Sequence, residues 1–189
     1  MPVLPLLAAP VLALSTPAAA PTAPDALERG FTGALKACEE WVLDPASWAL
    51  GPEAFAARVG LGEAMGQVAS VNEAALPPPP LRRANRYWRI NSTPDAGYIL
   101  VVSEDLPMCH ITGGGRADLQ PVVTRVLASA QFAARWEAGR VATRSGLTST
   151  TFRSRTDPGF SMVVSHATLP GGRSDRVQLQ ATAIYDPAK

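Results

Sequence analysis

Lysine, cysteine and histidine are scarce in this sequence. Lysine occurs only as Lys36 and Lys189, against fifteen arginines, and charged residues make up 17% of the 189-residue chain. The two histidines and two cysteines lack the closely paired spacings of zinc motifs. No Gly-x-Ser-x-Gly element is present either. The sequence therefore carries no recognisable catalytic or metal-binding signature, and we expect no metal and no cofactor.

The net charge is small but unevenly distributed. A formal charge of +1 argues against an obligate nucleic-acid or membrane-surface binder. Residues 1–115 carry 7 basic and 11 acidic side chains, a balance of −4, whereas residues 116–189 carry 10 and 5, a balance of +5. This asymmetry would orient the protein on an acidic partner, such as an acidic envelope protein or glycan, but solvated arginines without a common target are the favoured interpretation of the charge balance.

The sequence also lacks an apolar run long enough for a stable membrane span. Its most apolar stretch, residues 3–20, is interrupted by three prolines. An apolar middle followed by small residues is typical of a secretory signal peptide. We therefore predict a signal peptide over residues 1–20, a linker over 21–25 and a single domain over 26–189 of a periplasmic or secreted protein.

Export gives the two cysteines a structural interpretation. In an oxidising compartment a pair of cysteines usually forms a disulfide, whereas in the cytosol both would be free thiols. A bridge between Cys38 and Cys109 would close a loop of ~70 residues and stabilise the fold by roughly 4 kcal/mol on the chain-entropy estimate.

The first part of the domain is predicted to be helical. Leu27, Phe31 and Cys38 recur at helical spacing, which predicts an amphipathic helix over 26–43 with Asp25 as its N-cap and Cys38 on its buried face. A shorter helix is expected over 53–59. Residues 66–80 lose this periodicity and end in four consecutive prolines, which indicates an extended spacer.

Three strands are predicted next, at 86–90, 98–103 and 108–112. In the first of them we expect Trp88 and Ile90 on one face and the two arginines off it. In the third, the alternation of side chains puts Cys109 and Ile111 on one face and His110 on the other. A helix that packs on the Cys109 face would therefore bring Cys38 and Cys109 together.

The rest of the chain predicts a long helix from Asp118 to Gly139, followed by strands. The strands are expected near 140–144, 148–155, 160–168 and 175–185, with turns at 157–159 and 170–172. The segment Asp95–Ser103 is partly repeated 62 positions later as Asp157–Ser165. We therefore predict an α+β fold whose antiparallel sheet of about six to seven strands forms two helix-plus-meander halves, 26–115 and 116–189, with the helices packed on one face.

Two groups of residues are candidates for function. Cys109 and His110 are adjacent, but neighbouring strand residues point to opposite faces, so a thiol–base pair is unfavourable. His166 is expected near the core at a strand end. The segment Gly113–Gly115 before the long helix resembles an anion cradle, although Asp118 would occupy the helix donors. The candidate binding residues on the sheet and its loops are Arg86, Tyr87, Arg89, Arg116, Arg153 and Arg155.

Several features occur together in this sequence: a signal-like start, Phe31 and Cys38 on a first helix, the pair Trp88-Arg89, the run Leu100-Val101-Val102-Ser103, Cys109 and a closing meander of strands. With this arrangement the chain resembles small exported proteins of unknown function from high-GC bacteria. The resemblance implies a disulfide-tied periplasmic domain. A more distant resemblance is to β-lactamase-inhibitory proteins, which use two helix-plus-sheet repeats and disulfides, but here only one bridge can form.

These patterns favour a non-catalytic binding or inhibitory module that uses a sheet face or the loops at 104–107 and 113–116. An alternative from a different class is a small periplasmic hydrolase, or a thiol- or metal-dependent enzyme that uses Cys109 or His110.

Overall fold

The computed structural model describes residues 22–169 and 177–187. The predicted signal peptide at 1–20, the first linker residue and the turn predicted at 170–172 lie outside the described residues. None of the helices in the described part of the chain is long and apolar enough to cross a membrane.

The described strands form one eight-stranded antiparallel sheet, which confirms the α+β class. One more strand is present than the largest number predicted, because residues 65–68 form a short edge strand where a spacer was expected. The strands are β1 (Met65–Val68), β2 (Asn85–Ile90), β3 (Ala96–Ser103), β4 (Met108–Gly115), β5 (Trp136–Arg144), β6 (Leu147–Ser154), β7 (Phe160–Ala167) and β8 (Val177–Tyr185). Their order across the sheet is β1-β2-β3-β4-β8-β7-β6-β5.

The first helix, α1 (Ala23–Leu43), begins three residues earlier than predicted. Its N-cap is Thr22 rather than Asp25. The Thr22 hydroxyl accepts a hydrogen bond from the amide of Asp25, and the Asp25 carboxylate accepts one from the amide of Thr22, which completes a capping box. Helix α1 packs against β3, β4 and β8. Tyr98 anchors it, since the phenol donates a hydrogen bond of 3.0 Å to the carbonyl of Leu27.

Of the two later helices predicted, one is confirmed and the other is divided. Helix α2 (Pro52–Arg58) matches the prediction closely. The long helix predicted from Asp118 to Gly139 is instead two helices, α3 (Gln120–Ala128) and α4 (Ala130–Arg135). Ser129 separates them because its hydroxyl accepts from the amide of Phe132 and caps α4. Gly139 lies in β5.

The core lies between the helices and one face of the sheet. On this helix face, Leu100 and Ile111 are neighbours on adjacent strands and are fully buried. Cys38 and Cys109 form a disulfide here, with their Cα atoms 5.4 Å apart, which confirms the predicted bridge between helix and sheet. This distance lies within the usual range for a disulfide.

Candidate binding surfaces

The face of the sheet that points away from α1, here called the outer face, carries a continuous row of side chains across seven strands. The strand register places Tyr87, Val101, His110, Thr182 and Val163 side by side, and Val68 and Thr151 extend the row at its two ends. Residues of one parity on each strand share this face. The burial of these side chains therefore shows how far the outer face is covered from one edge of the sheet to the other.

The outer face of β3 and β4 is buried. The side chains of Val101, Met108 and His110 point to this face, yet none is more than 2% exposed. The connection between β1 and β2, residues 69–84, lies over part of the outer face, since its buried residue Ala75 shares a cavity with Arg89 and Thr112 of that face. This connection was predicted to be a simple spacer, but part of it is packed against the sheet on the face opposite the main core.

Side-chain hydrogen bonds hold this connection in place. The Ser103 hydroxyl donates to the carbonyl of Arg83 at 2.7 Å, and the guanidinium of Arg82 donates to the carbonyl of Pro77 at 2.8 Å. Residues Glu73–Ala75 and Pro79–Leu81 each form a turn of 3₁₀ helix. The segment is therefore folded upon itself rather than extended.

The outer face of β5–β8 is open in the part of the chain that the structure describes. Val163 is 43% exposed and Ile184 is 41% exposed, and they lie diagonally across the β7–β8 pair. Hydroxyl groups surround them, including Ser149 and Ser165, whose Oγ atoms are 2.7 Å apart. This surface combines a small aliphatic centre with polar neighbours.

His110 lies at the boundary between the covered and the open strands. Its Nδ1 is 2.8 Å from Oγ1 of Thr182, while its buried Nε2 has no partner among the described protein groups. Burial lowers the pKa of His110 to about 4, because a charged imidazolium would lose its hydration. The predicted orientation away from Cys109 is confirmed by the register. His110 is therefore a neutral, buried side chain.

The cysteine of the alternative enzyme hypothesis is not a thiol. Cys109 is fully buried and bonded to Cys38, so it has no thiolate to act as nucleophile or ligand. Within residues 22–169 and 177–187, no group of three or more His, Cys, Asp or Glu side chains is placed to hold a metal ion. His166 lies at the end of β7 on the helix face, with Nδ1 3.2 Å from Oε1 of Gln120.

The predicted binding residues of β2 do not share one face. Arg86 is two residues from Trp88 and points to the same face as that buried ring, so the prediction that both arginines lie off this face is wrong for Arg86. Its guanidinium is paired with Glu104. Tyr87 and Arg89 do point to the outer face, opposite Val101 and Ile99.

The other predicted arginines are also dispersed. Arg116 is paired with Asp95 at the end of β4. Arg155 follows β6 and donates from Nε to the carbonyl of Ala133 at 2.9 Å. Arg153 alone of these three lies on the outer face of the open strands, between Ser161 and Glu137 in the register. The six candidates therefore form no single site.

The glycine-rich segment forms neither the anion cradle that it resembles in sequence nor a flexible connection. Residues Gly113–Gly115 belong to β4, and α3 begins five residues later with Leu119 at its N-cap position. The carboxylate of Asp118 accepts from the amide of Gln120 at 3.0 Å. Gly113 is needed for packing, since a Cβ at this position would lie 2.9 Å from both Leu119 and the ring of Tyr98.

Cavities open at two places on the outer face of the described strands. One, of about 330 Å³, lies beside the β2–β3 turn and is lined by Ala75, Arg89 and Thr112 among others. The second, of about 310 Å³, lies at the β5 edge and is lined by Arg140 and Arg153 among others. Arg140 was not predicted as a binding residue. The signal that could have found it is Gly139, because an isolated glycine within a strand pattern often marks a β-bulge.

Comparison with known proteins returned no similarity. No family model, no curated protein and no solved structure matches this chain.

Proposed function

We propose that this protein is an exported, non-catalytic binding module, and that its binding surface is the outer face of β5–β8. The observation that carries the proposal is the exposed aliphatic pair Val163 and Ile184, surrounded by polar side chains on a rigid sheet. Protein-binding surfaces commonly combine an apolar centre with a polar rim. A rigid sheet also presents such groups at a low entropic cost, since its backbone is already ordered.

The favoured partner is acidic. Residues 116–189, which contribute all the open strands, have a formal charge of +5 from 10 basic and 5 acidic side chains. Arg153 adds a guanidinium to the open face itself, across from Ser161. Complementary charge accelerates association and selects among partners. An acidic envelope protein or an acidic glycan fits this surface.

Export of the protein is supported by its disulfide. A buried bridge between helix and sheet is typical of proteins that fold in oxidising compartments. The apolar, proline-interrupted start of the sequence fits a signal peptide. Both features agree with a periplasmic or secreted location and with membership of the small exported bacterial proteins that the sequence resembles.

Internal duplication of a helix-plus-meander unit accounts for the sheet layout in this proposal. The repeated sequence segments fall on β3 and β7, each of which is the third strand of a run of four antiparallel neighbours. The two runs adjoin through their last strands, β4 and β8. In this interpretation one copy retained an open outer face for binding while the other became covered.

A charge placed in the centre of the surface tests the proposed function. The oxidised wild-type protein is immobilised, incubated with envelope extract, and compared with the variants Val163→Glu and Leu50→Glu. Leu50 is also an exposed aliphatic residue, but it lies outside the sheet, between the first and second helices. We expect Val163→Glu to reduce recovery of the specific partner at least about tenfold, because a central charge repels an acidic partner and removes an apolar contact.

The Leu50→Glu variant is expected to capture the partner as the wild type does. Equal capture by all three proteins, with unchanged melting temperatures, would rule out the outer face of β5–β8 as the binding surface.

A further inference from the structure

A groove on the edge strand β5 contains two arginines that sequence spacing alone would not bring together. The groove has a volume of about 310 Å³ and is lined by Glu137, Gly139, Arg140, Thr151 and Arg153, with Ala138 and Phe152 completing it. Arg140 and Arg153 are 13 positions apart in sequence and lie on two neighbouring strands. Two arginines and a threonine therefore line one small concave area.

A β-bulge creates this arrangement. Ala138 pairs with Phe152, and the next pair is Val141 with Thr150, so Gly139 and Arg140 together occupy the position opposite Thr151. A bulge of this kind bends the strand and redirects a side chain, and bulges recur beside functional sites. It also interrupts the edge against regular pairing with another strand. The bulge thus turns Arg140 towards the groove instead of leaving β5 as a uniform edge.

The two arginines have no internal counter-ion in the described part of the chain. The ion pairs found there involve Arg58, Arg82, Arg86, Arg116, Arg125 and Arg135, and neither Arg140 nor Arg153 is among them. Glu137 is opposite Arg153 in the strand register, but its carboxylate is in none of the ion pairs of 4 Å or less among the described residues. The groove is left with a net charge of +1 and with guanidinium donors that can bind a carboxylate in a bidentate manner.

We propose that this groove binds an aspartate or glutamate side chain of an acidic protein segment that docks on the open outer face. This inference rests on the proposed function and names the partner's chemistry at one point of that surface. Arg140 and Arg153 hold the carboxylate, and the Thr151 hydroxyl donates a further hydrogen bond. The carboxylate of Glu137 also lines the groove and repels an incoming carboxylate, which limits the affinity.

A protein partner fits this face better than a glycan. Sugar rings commonly stack on exposed aromatic side chains, but the aromatic residues of β5–β8 point to the helix face, where Trp136, Phe152 and Phe160 are buried in the core. The outer face of these strands instead exposes aliphatic Val163 and Ile184. Aliphatic groups beside a cationic groove suit a peptide segment that carries both apolar and acidic side chains.

Peptide binding measured by fluorescence anisotropy tests the proposal. The full-length oxidised protein is titrated into a fluorescein-labelled peptide of alternating valine and glutamate, and into the same peptide with glutamine in place of glutamate. We expect Arg140→Gln and Arg153→Gln each to weaken binding of the acidic peptide by about tenfold, because each removes a charge-assisted hydrogen bond. Glu137→Gln is expected to strengthen binding, and added salt to weaken it.

The matched control is Arg144→Gln, which removes the same charge from the same strand outside the groove. We expect it to change the affinity by less than about threefold, as is usual for a screened surface charge. Weakening equal to that of Arg140→Gln, or equal binding of the glutamine peptide, would show general electrostatic attraction and overturn the proposal.

A third titration separates the two classes of acidic partner. Polygalacturonate that binds more tightly than the acidic peptide and depends on Arg140 and Arg153 would overturn the assignment to a protein segment. Failure of this inference is distinguishable from failure of the proposed function. If Arg140→Gln and Arg153→Gln still capture the envelope partner while Val163→Glu does not, the open face binds and the groove does not.

Discussion

Strands β1–β4 and β5–β8 belong to one sheet, but their outer faces have different surroundings. His110 on β4 and Thr182 on β8 are directly opposite each other in the register. His110 is 2% exposed, whereas Thr182 is partly exposed and its neighbours Gln180 and Ile184 are exposed. The exposure of the outer face therefore changes across a single strand pair.

The difference shows that packing of another chain segment over the sheet, and not the strand sequence, decides which outer-face residues are buried. Residues 69–84 lie over part of the outer face of β2–β4, with Ala75 bordering the cavity formed by Arg89 and Thr112. No described segment covers β5–β8 in the same way. The covered strands are consequently expected to carry the stability of the domain, and the open strands its interactions.

The largest effect is expected from removing the disulfide, which lies under the covered strands. In the double variant Cys38→Ala/Cys109→Ala we expect the free energy of unfolding to fall by about 4 kcal/mol, because the bridge closes a loop across 71 positions in the chain. Urea unfolding of the oxidised wild type and the variant measures this loss.

Reductant provides the control for this prediction. Dithiothreitol should destabilise the wild type but leave the double variant unchanged, since Cys38 and Cys109 are the only two cysteines. An oxidised wild type no more stable than the variant would contradict a structural role for the bridge.

The next effect is a loss of stability in acid that depends on His110. Burial lowers its pKa in the folded protein to about 4, below the value of about 6.5 expected in the unfolded chain. Between these values the unfolded chain takes up a proton that the folded protein does not. The stabilisation is therefore complete above pH 6.5 and is lost as the pH falls towards 4, by about 3 kcal/mol in total.

Urea unfolding at several pH values separates this effect from the titration of carboxylates. The variant His110→Gln should lose less stability than the wild type between pH 7 and 4. His166→Gln, which alters the other histidine, should retain the wild-type loss because His110 is still present. The same pH dependence in the wild type and in His110→Gln would show that His110 is accessible to protons in the folded protein.

The smallest expected changes in stability come from substituting one glycine in each set of strands. Gly113→Ala should destabilise the protein by about 2 kcal/mol, because the new Cβ would lie 2.9 Å from the buried ring of Tyr98. This ring is held in place by the hydrogen bond from its hydroxyl to the carbonyl of Leu27. Gly139→Ala, on the open side, should change the free energy by less than about 0.5 kcal/mol, since its Cβ would have 3.4 Å to the nearest atom, the Thr151 carbonyl oxygen. Thermal unfolding measures both losses, and similar values would contradict the tighter packing around Gly113 on the helix face.

Local patterns predicted most of the individual elements. The buried face of α1, the position of Cys38 and the strands from β2 onwards follow from periods of 3.6 and 2 residues, which depend only on neighbours in sequence. The length of the second-half helix was predicted wrongly because Ser129 caps a new helix within an otherwise helical pattern. The short strand β1 was missed because its pairing with β2 depends on partners 19 to 25 positions away.

The candidate site was predictable only in part. Arg153 was identified from its place in a strand, and the register confirms that it lies on the outer face. Arg140 was missed because it reaches the groove through a bulge, which is defined by the pairing of two strands rather than by one of them. Arg86 was assigned to the wrong face, although the alternation of side chains along β2 was sufficient to place it beside Trp88.

The sequence by itself determined the α+β class, the helix and strand periods and the orientation of Cys109 and His110 on opposite faces, because these depend on the backbone geometry of short segments. Only the tertiary structure decided that β4 lies beside β8, that residues 69–84 lie over part of the outer face of β2–β4, and that a bulge places Arg140 in one groove with Arg153. Those outcomes depend on which surfaces meet across long sequence separations, and such contacts leave no periodic pattern in the chain.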